Sequence, residues 1–207
     1  MQLSASIHPA TKRNLFIIFG FFIQQKKQAV PWHMIMHLNF EFKARTNRLE
    51  AQEQLLLDQQ PRFVGEDHQI DTYFQVPNGR LKLREGTIES SLIHYHRHNI
   101  AGAKQSDVLL YEHAPAPALK AALTAALGIK VVVDKRRRIY FIDNVKFHFD
   151  RVEGLGSFVE VEAIDKDGSI GVERLKAQCA QYAELLGVQA DDYLAGSYSD
   201  LLLKGLA

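Results

Sequence analysis

Glu160 and Glu162 stand two apart in Phe158-Val159-Glu160-Val161-Glu162, an alternating strand pattern that sets both carboxylates on one side. Their backbone positions are then roughly 6–7 Å apart, a spacing that suits a shared hard divalent cation. A third acid, Glu41, lies in Leu38-Asn39-Phe40-Glu41-Phe42-Lys43-Ala44-Arg45, where apolar and polar residues alternate and acid and base share the polar face. With Glu41, and with Asp150 as a further candidate, Glu160 and Glu162 would make an oxygen-only site. Such ligands favour Mg²⁺ or Mn²⁺ over Zn²⁺, whose sites draw on His or Cys. Taken alone, an acidic strand is as readily a solvated surface.

The complementary charges are Lys43, Lys82, Arg84, Arg97, Lys135 and Arg137, which come from several strands. Arg offers phosphate oxygens a planar fork and Lys a point charge, so a ring of both around a cation has the chemistry to hold a triphosphate. The run Lys135-Arg136-Arg137-Arg138 taken alone also reads as a solvated turn or a nucleic-acid patch. Alternation, however, sends Arg136 and Arg138 away from Lys135 and Arg137. His94, His96 and His98 alternate on one strand and share one parity, opposite to Tyr95 and Arg97; if Arg97 points inward, the three rings point outward. His148, two before Asp150, could support the ligands or carry a proton, and equally could be a satisfied structural histidine. No glycine-rich phosphate loop, zinc spacing or Ser-His-Asp order stands out.

These residues need strands to position them. Helical character is expected over Thr46 to Leu57, with Thr46 or Asn47 as cap. Strands are expected at Gln69 to Val76 and Arg80 to Glu85, joined by Pro77-Asn78-Gly79 as a hairpin, and at Ser91 to Arg97 and Ser106 to His113. After Pro115 and Pro117, Leu119, Ala122, Leu123, Ala126 and Leu127 recur at helical spacing, predicting a helix that packs by one apolar stripe and stops at Gly128. Four strand-like runs follow, at Ile129 to Val133, Arg138 to Ile142, Val145 to Asp150 and Phe158 to Ile164. A last helix, Glu173 to Leu186, carries Leu175, Cys179, Tyr182 and Leu186 on one side and ends at Gly187. About nine hairpin-connected strands with intermittent helices predict an α+β fold: an antiparallel sheet strongly curved or closed into a barrel, with helices packed outside and charge inside.

The chain has 207 residues and a formal charge of +1, a size for one core and a balance that does not suggest a general nucleic-acid binder. One cysteine, Cys179, excludes an internal disulfide and favours a buried thiol in a reducing, cytoplasmic setting. The apolar run Leu15 to Ile23 is shorter than the about 20 residues a membrane span needs, and Gln24-Gln25-Lys26-Lys27 follows it where a signal peptide would carry small residues. Residues 1–35 therefore read as an extension outside the domain, with Met34 or Met36 as an alternative start, and residues 36–207 as the domain.

Four segments together resemble the CYTH family of triphosphate tunnel enzymes, which includes class IV adenylate cyclases and thiamine triphosphatases. They are Asn39-Phe40-Glu41-Phe42-Lys43, Leu81-Lys82-Leu83-Arg84-Glu85, Lys135-Arg136-Arg137-Arg138-Ile139-Tyr140-Phe141 and Gly154-Leu155-Gly156-Ser157-Phe158-Val159-Glu160-Val161-Glu162. The ending Ser197-Tyr198-Ser199-Asp200-Leu201-Leu202 is similar to the cyclase-like branch. The resemblance implies an eight-stranded antiparallel tunnel that holds a triphosphate and Mg²⁺ or Mn²⁺. It assigns Lys82 and Arg84 to a phosphate-binding pair, Arg97 and Arg137 to further phosphate contacts, Asp150, Glu160 and Glu162 to the metal, and Lys43 with Arg137 to the reaction itself. The family's opening Glu-x-Glu-x-Lys has Asn39 in its first place here, which removes one negative charge. The implied activity is conversion of ATP to cyclic AMP and pyrophosphate. The alternative is hydrolysis of tripolyphosphate, thiamine triphosphate or a nucleotide, and a third reading is a non-catalytic nucleotide or polyphosphate sensor. A small-molecule substrate, no nucleic acid, no membrane and a homodimer complete these expectations.

Overall fold

The computed structural model describes residues 36–96, 102–114 and 117–205. The expectations for residues 1–35, for Arg97 and for His98 lie outside them. Eight strands are present: β1 (Met36–Thr46), β2 (Arg62–Phe74), β3 (Arg80–Gly86), β4 (Ser91–His96), β5 (Lys104–Glu112), β6 (Ile129–Ile142), β7 (Val145–Val152) and β8 (Gly156–Asp165). Four helices accompany them: α1 (Leu49–Leu57), α2 (Pro117–Leu127), α3 (Val172–Leu185) and α4 (Tyr198–Gly205). The strands close into a barrel in the order β1-β5-β4-β3-β2-β6-β7-β8, every neighbour antiparallel.

Strand alternation divides the barrel wall into two faces. Phe40, Phe42 and Ala44 of β1, Phe147 and Phe149 of β7, and Val159 and Val161 of β8 point outward. They form one core with Leu49 and Leu56 of α1 and with Leu175, Cys179 and Tyr182 of α3. Cys179 is fully buried there, its Sγ donating to the Phe40 carbonyl at 3.1 Å, and burial pushes its thiol up to about 12. Gly187, with φ +61°, turns the chain out of α3 as expected. The inward face also carries an apolar sector, in which Tyr73, Ile93, Tyr95, Val108, Val131, Val133, Val152 and Phe158 cluster with Tyr198 and with the leucines Leu201 and Leu202 of α4.

Three expectations need correction. The strands number eight because Ile129–Ile142 runs unbroken through the Lys135-Arg136-Arg137-Arg138 segment. That segment is held in register between β2 and β7, so it is neither a turn nor a basic surface patch. Helix α1 starts at Leu49, because β1 continues through Thr46 and the Thr46 hydroxyl accepts the Arg48 amide at 2.9 Å, closing a tight turn before the helix. In α2 no residue is fully buried, and Leu119, Leu123 and Leu127 are half-covered. The helix is alanine-rich, and its small side chains bury little against β2. Among the described residues, no helix is long and apolar enough to cross a membrane.

Candidate active site

The inward polar face encloses a cavity of about 820 Å³ with opposite charges on opposite walls. Asp71 of β2 is the hub of the basic wall. It accepts Lys82 Nζ at 3.0 Å, Arg84 Nε and Nη2 at 2.8 and 3.1 Å, and Lys135 Nζ at 2.7 Å. The register explains this convergence, since Asp71 lies opposite Arg84 on β3 and two residues beyond Gln69, the partner of Lys135 on β6. Burial works to raise the Asp71 carboxyl, but Arg84, Lys135 and Lys82 hold it well below the ordinary range. One carboxylate thus fixes three cations with a surplus of positive charge. Burial, only partly countered by Asp71 and reinforced by Arg84 and Arg137, drops Lys135 to about 7.

On the facing wall the β1–β8 register sets Glu41 beside Glu162 and Lys43 beside Glu160, and β7 places Lys146 beside Glu162 and His148 beside Glu160. Glu160 is bound by Lys43, by Arg137 Nη2 at 2.6 Å and by His148 Nδ1 at 3.1 Å. Burial opposes its ionisation, yet Lys43 and Arg137 hold it well below the usual carboxylate range. Glu162 behaves in the opposite way: burial, Glu160 and Glu41 push it up to about 7. His148 is buried beside Arg137, which drops it to about 3 and keeps it neutral. Donation from Nδ1 to Glu160 then leaves a bare lone pair on Nε2, which has no hydrogen-bond partner.

The donor set fits a divalent cation. One ligand atom each from His148, Glu160 and Glu162 lies within 4.8 Å of the others, Glu41 adjoins them in register, and Glu162 is raised by burial and then by Glu160 and Glu41, a cost to its ionised form that a cation would offset. Asn39 also lines the cavity, and its Oδ1 is buried without a partner.

Of the sequence-derived candidates, Glu41, Lys43, Lys82, Arg84, Lys135, Arg137, Glu160 and Glu162 all line this cavity. Asp150 is set behind it, fully buried, where it accepts Arg137 Nε at 2.7 Å and Nη2 at 2.6 Å and the Tyr198 hydroxyl at 2.7 Å. Arg136 is exposed and Arg138 turns outward to Glu53 at 2.7 Å, as alternation required. His94 and His96 lie on the outer parity, with His94 Nε2 3.2 Å from the Asn78 carbonyl.

Sequence reading missed four participants. Asp71 could have been found by counting back from the Pro77-Asn78-Gly79 turn to the partner of Arg84. Lys146, which pairs with Glu89, shares the parity of His148 and Asp150. Tyr198, whose ring carries Lys43 Nζ 4.6 Å from its centroid, was visible only as part of a tail motif. Glu89 sits in the β3–β4 connection, where no periodicity signals it, and accepts Arg84 Nη1 at 3.1 Å.

A closed antiparallel tunnel with basic and acidic walls is the architecture of the CYTH domain, whose family profile matches residues 37–198; the chain belongs to that family. The family acts on triphosphates and is in general metal-dependent. No curated protein matches the chain. Among solved structures, the PH1012 protein of Pyrococcus horikoshii OT3 is 27% identical with a TM-score of 0.67, over 79% of this chain and 98% of that one. A candidate adenylate cyclase of Vibrio parahaemolyticus is 16% identical with a TM-score of 0.67, over 80% and 98%. A candidate adenylyl cyclase of Hippeastrum, described with a dominant triphosphatase activity, is 15% identical with a TM-score of 0.54, over 82% and 96%. The last two likenesses show the fold.

Proposed function

We propose that the tunnel binds a triphosphate with Mg²⁺ or Mn²⁺ and carries out the class IV adenylate cyclase reaction, ATP to cyclic AMP and pyrophosphate. The observation that carries the triphosphate reading is the bipolar cavity: Lys82, Arg84 and Lys135 gathered on Asp71, facing Glu41, Glu160 and Glu162. The cyclase reading is supported by the C-terminal sequence resemblance and by the Vibrio relative's description.

In this reading Arg84 and Lys82 grip the terminal phosphates, and Arg137 and Lys43 reach the phosphate nearest the acidic wall. Asp150 and Tyr198 hold the Arg137 fork in place. Lys135 joins the grip as a proton returns to it. Glu162, pushed up to about 7 by burial and by Glu160 and Glu41, is the carboxyl that a bound cation would return to its ionised form. A divalent cation at Glu41, Glu160 and Glu162 would supply Lewis-acid neutralisation of phosphate charge. The remaining contribution is orientation and pre-set charge, which is what phosphoryl-type transfers require. A cytoplasmic setting would keep Cys179 reduced.

Hydrolysis of the triphosphate is the second reading. It is favoured by Asn39, which lowers the negative charge available to cations, and by the triphosphatase activity of the Hippeastrum relative. The same cradle would then orient a water instead of the ribose 3′-hydroxyl. Phosphorus NMR of products from ATP and from tripolyphosphate, each with Mg²⁺ and with Mn²⁺, separates these readings. Cyclic AMP with pyrophosphate supports the first, orthophosphate without cyclic nucleotide the second, and tight binding without turnover the sensor.

A further inference from the structure

Two carboxylates neutralise the basic wall, and they are built differently. Asp71 is set in β2 beneath the cations it binds, with its side chain 3% exposed. Glu89 instead projects from the connection between β3 and β4, lines the cavity and is 27% exposed. It joins two strands that β2 and β6 separate in the barrel wall: Oε2 accepts Arg84 Nη1 of β3 at 3.1 Å, and Oε1 accepts Lys146 Nζ of β7. Gln69 Nε2 also donates to Oε2, at 3.2 Å. Burial opposes ionisation of Glu89, but Lys146 and Arg84 hold it below the ordinary carboxylate range, so it is an anion at neutral pH. The connection is shaped to deliver this anion. Buried Asp67 accepts the Thr87 hydroxyl at 2.9 Å besides the Ile88 and Glu89 amides. A Cβ at Gly86 would come within 2.5 Å of the Glu89 carbonyl oxygen and 2.8 Å of Asp67 Oδ2, so the fold-back needs glycine there.

Arg84 gives Nε and Nη2 to Asp71 and Nη1 to Glu89. A phosphoryl oxygen approaching Arg84 and Lys146 from within the tunnel therefore meets nitrogens that Glu89 already engages. A tethered anion competes at an effective concentration on the order of millimolar or more. An ion with one anionic group, such as sulfate, offers Arg84 and Lys146 little beyond the charge-assisted bonds that the carboxylate supplies. A chain of phosphates engages Lys82 and Lys135 at the same time and can offset the loss. We infer that Glu89 is a resident anion that a phosphoryl group must displace from Arg84 and Lys146, and is thereby a specificity-determining residue that turns away single-group anions and admits phosphate chains. The exchange needs no proton: the carboxylate leaves ionised, and phosphoryl oxygens accept from the two cations in its place. Asp71, buried under Lys82, Arg84 and Lys135, stays and keeps the wall in order.

The inference rests on the triphosphate reading above, and its test separates the two. Tripolyphosphate binding to the full chain is measured by calorimetry with Ca²⁺ as the cation, each variant being checked for an intact fold by circular dichroism. Glu89→Gln should bind at least about tenfold more tightly than wild type, the scale of one charge-assisted hydrogen bond. Glu89→Asp keeps the charge and gives up the reach, so it too should bind more tightly, which a simple loss of negative field would not produce. Glu85→Gln removes the same charge from the outer face, where Glu85 pairs with Lys120 at 2.6 Å, and should stay within about twofold of wild type. Sulfate, at matched ionic strength, should compete with tripolyphosphate in Glu89→Gln and not in wild type. Unchanged or weaker binding in Glu89→Gln, no gain in Glu89→Asp, an equal gain in Glu85→Gln, or equal sulfate competition in wild type would each overturn the inference and leave the triphosphate reading standing. Failure of tripolyphosphate to bind wild type and both Glu89 variants would overturn both.

Discussion

Arg137 and Asp150 lie opposite each other across β6 and β7 and form a two-pronged pair, Nε to Oδ1 at 2.7 Å and Nη2 to Oδ2 at 2.6 Å. Because the same Nη2 also reaches Glu160, the guanidinium is locked between a buried anion behind it and an anion on the tunnel wall. Asp150 therefore acts on substrate through Arg137. Asp150→Asn should lower stability by about 3–5 kcal/mol, the cost of breaking a buried pair, and raise KM for the triphosphate. Mn²⁺ affinity, read by electron paramagnetic resonance, should stay close to wild type; a large loss would return Asp150 to the metal.

The two wall glutamates should separate in mutagenesis. Glu160 neutralises Lys43 and Arg137, so Glu160→Gln leaves two buried cations short of an anion and should cost stability as well as activity. Glu162 is less encumbered, and its carboxyl is already near neutrality. Glu162→Gln should retain the melting temperature and lose metal-dependent turnover by about 100-fold or more, the scale of forfeiting a few kcal/mol of metal-supplied charge stabilisation. Thermal melts beside steady-state rates decide this, and retained turnover in Glu162→Gln would remove Glu162 from the reaction.

Arg84 presents two nitrogens to Asp71 and one to Glu89, which leaves its fork rigid before any ligand arrives. Replacing it with Ala should weaken triphosphate binding by about 1.5–3 kcal/mol, the value of one charge-assisted hydrogen bond, or about ten- to hundredfold in Kd. Titration calorimetry reads this directly, and an unaltered Kd would place Arg84 outside the substrate's reach.

Lys135 should give the binding reaction a pH signature. Its folded value, about 7, lies below the ordinary 10.5, so between these values the unfolded chain holds a proton that the folded chain lacks. The folded state is accordingly disfavoured below about pH 7, and this group's contribution to stability rises with pH across the window. A bound polyanion restores the proton. Near pH 8, triphosphate binding should take up about one proton, and affinity should fall by up to about tenfold per pH unit above 7. Calorimetry in buffers of different ionisation enthalpy measures the uptake, and Lys135→Met should abolish it.

Much of this site was legible because strand alternation is a simple code. Once Phe40 and Phe42 point outward, Asn39, Glu41 and Lys43 must point inward, and the same parity sorted Lys135 and Arg137 from Arg136 and Arg138. What alternation cannot give is depth. Asp150 has the right parity for the tunnel, yet Arg137, longer and opposite it in register, covers it and takes its place on the wall. Nor does alternation locate residues in connections: Glu89 reaches Arg84 and Lys146 because Asp67 accepts the backbone amides of Ile88 and Glu89 at 2.9 and 3.0 Å, a fold-back that leaves no periodic trace. The count of nine strands failed for a related reason, since four consecutive basic residues look like a break until both neighbouring strands are known.

The pairing of β1 with β8, from Leu38 with Asp165 to Thr46 with Ser157, makes the earliest strand of the barrel depend on the latest. During synthesis Glu41 and Lys43 emerge long before Glu162 and Glu160, their cross-strand neighbours. Until residue 165 is released, β1 has an open edge and an uncovered phenylalanine face, the kind of surface that recruits other chains. The acidic wall of the site can therefore be completed only after β8 has been made. A chain arrested before that point would carry most of the phosphate-binding cations and none of the acidic pair.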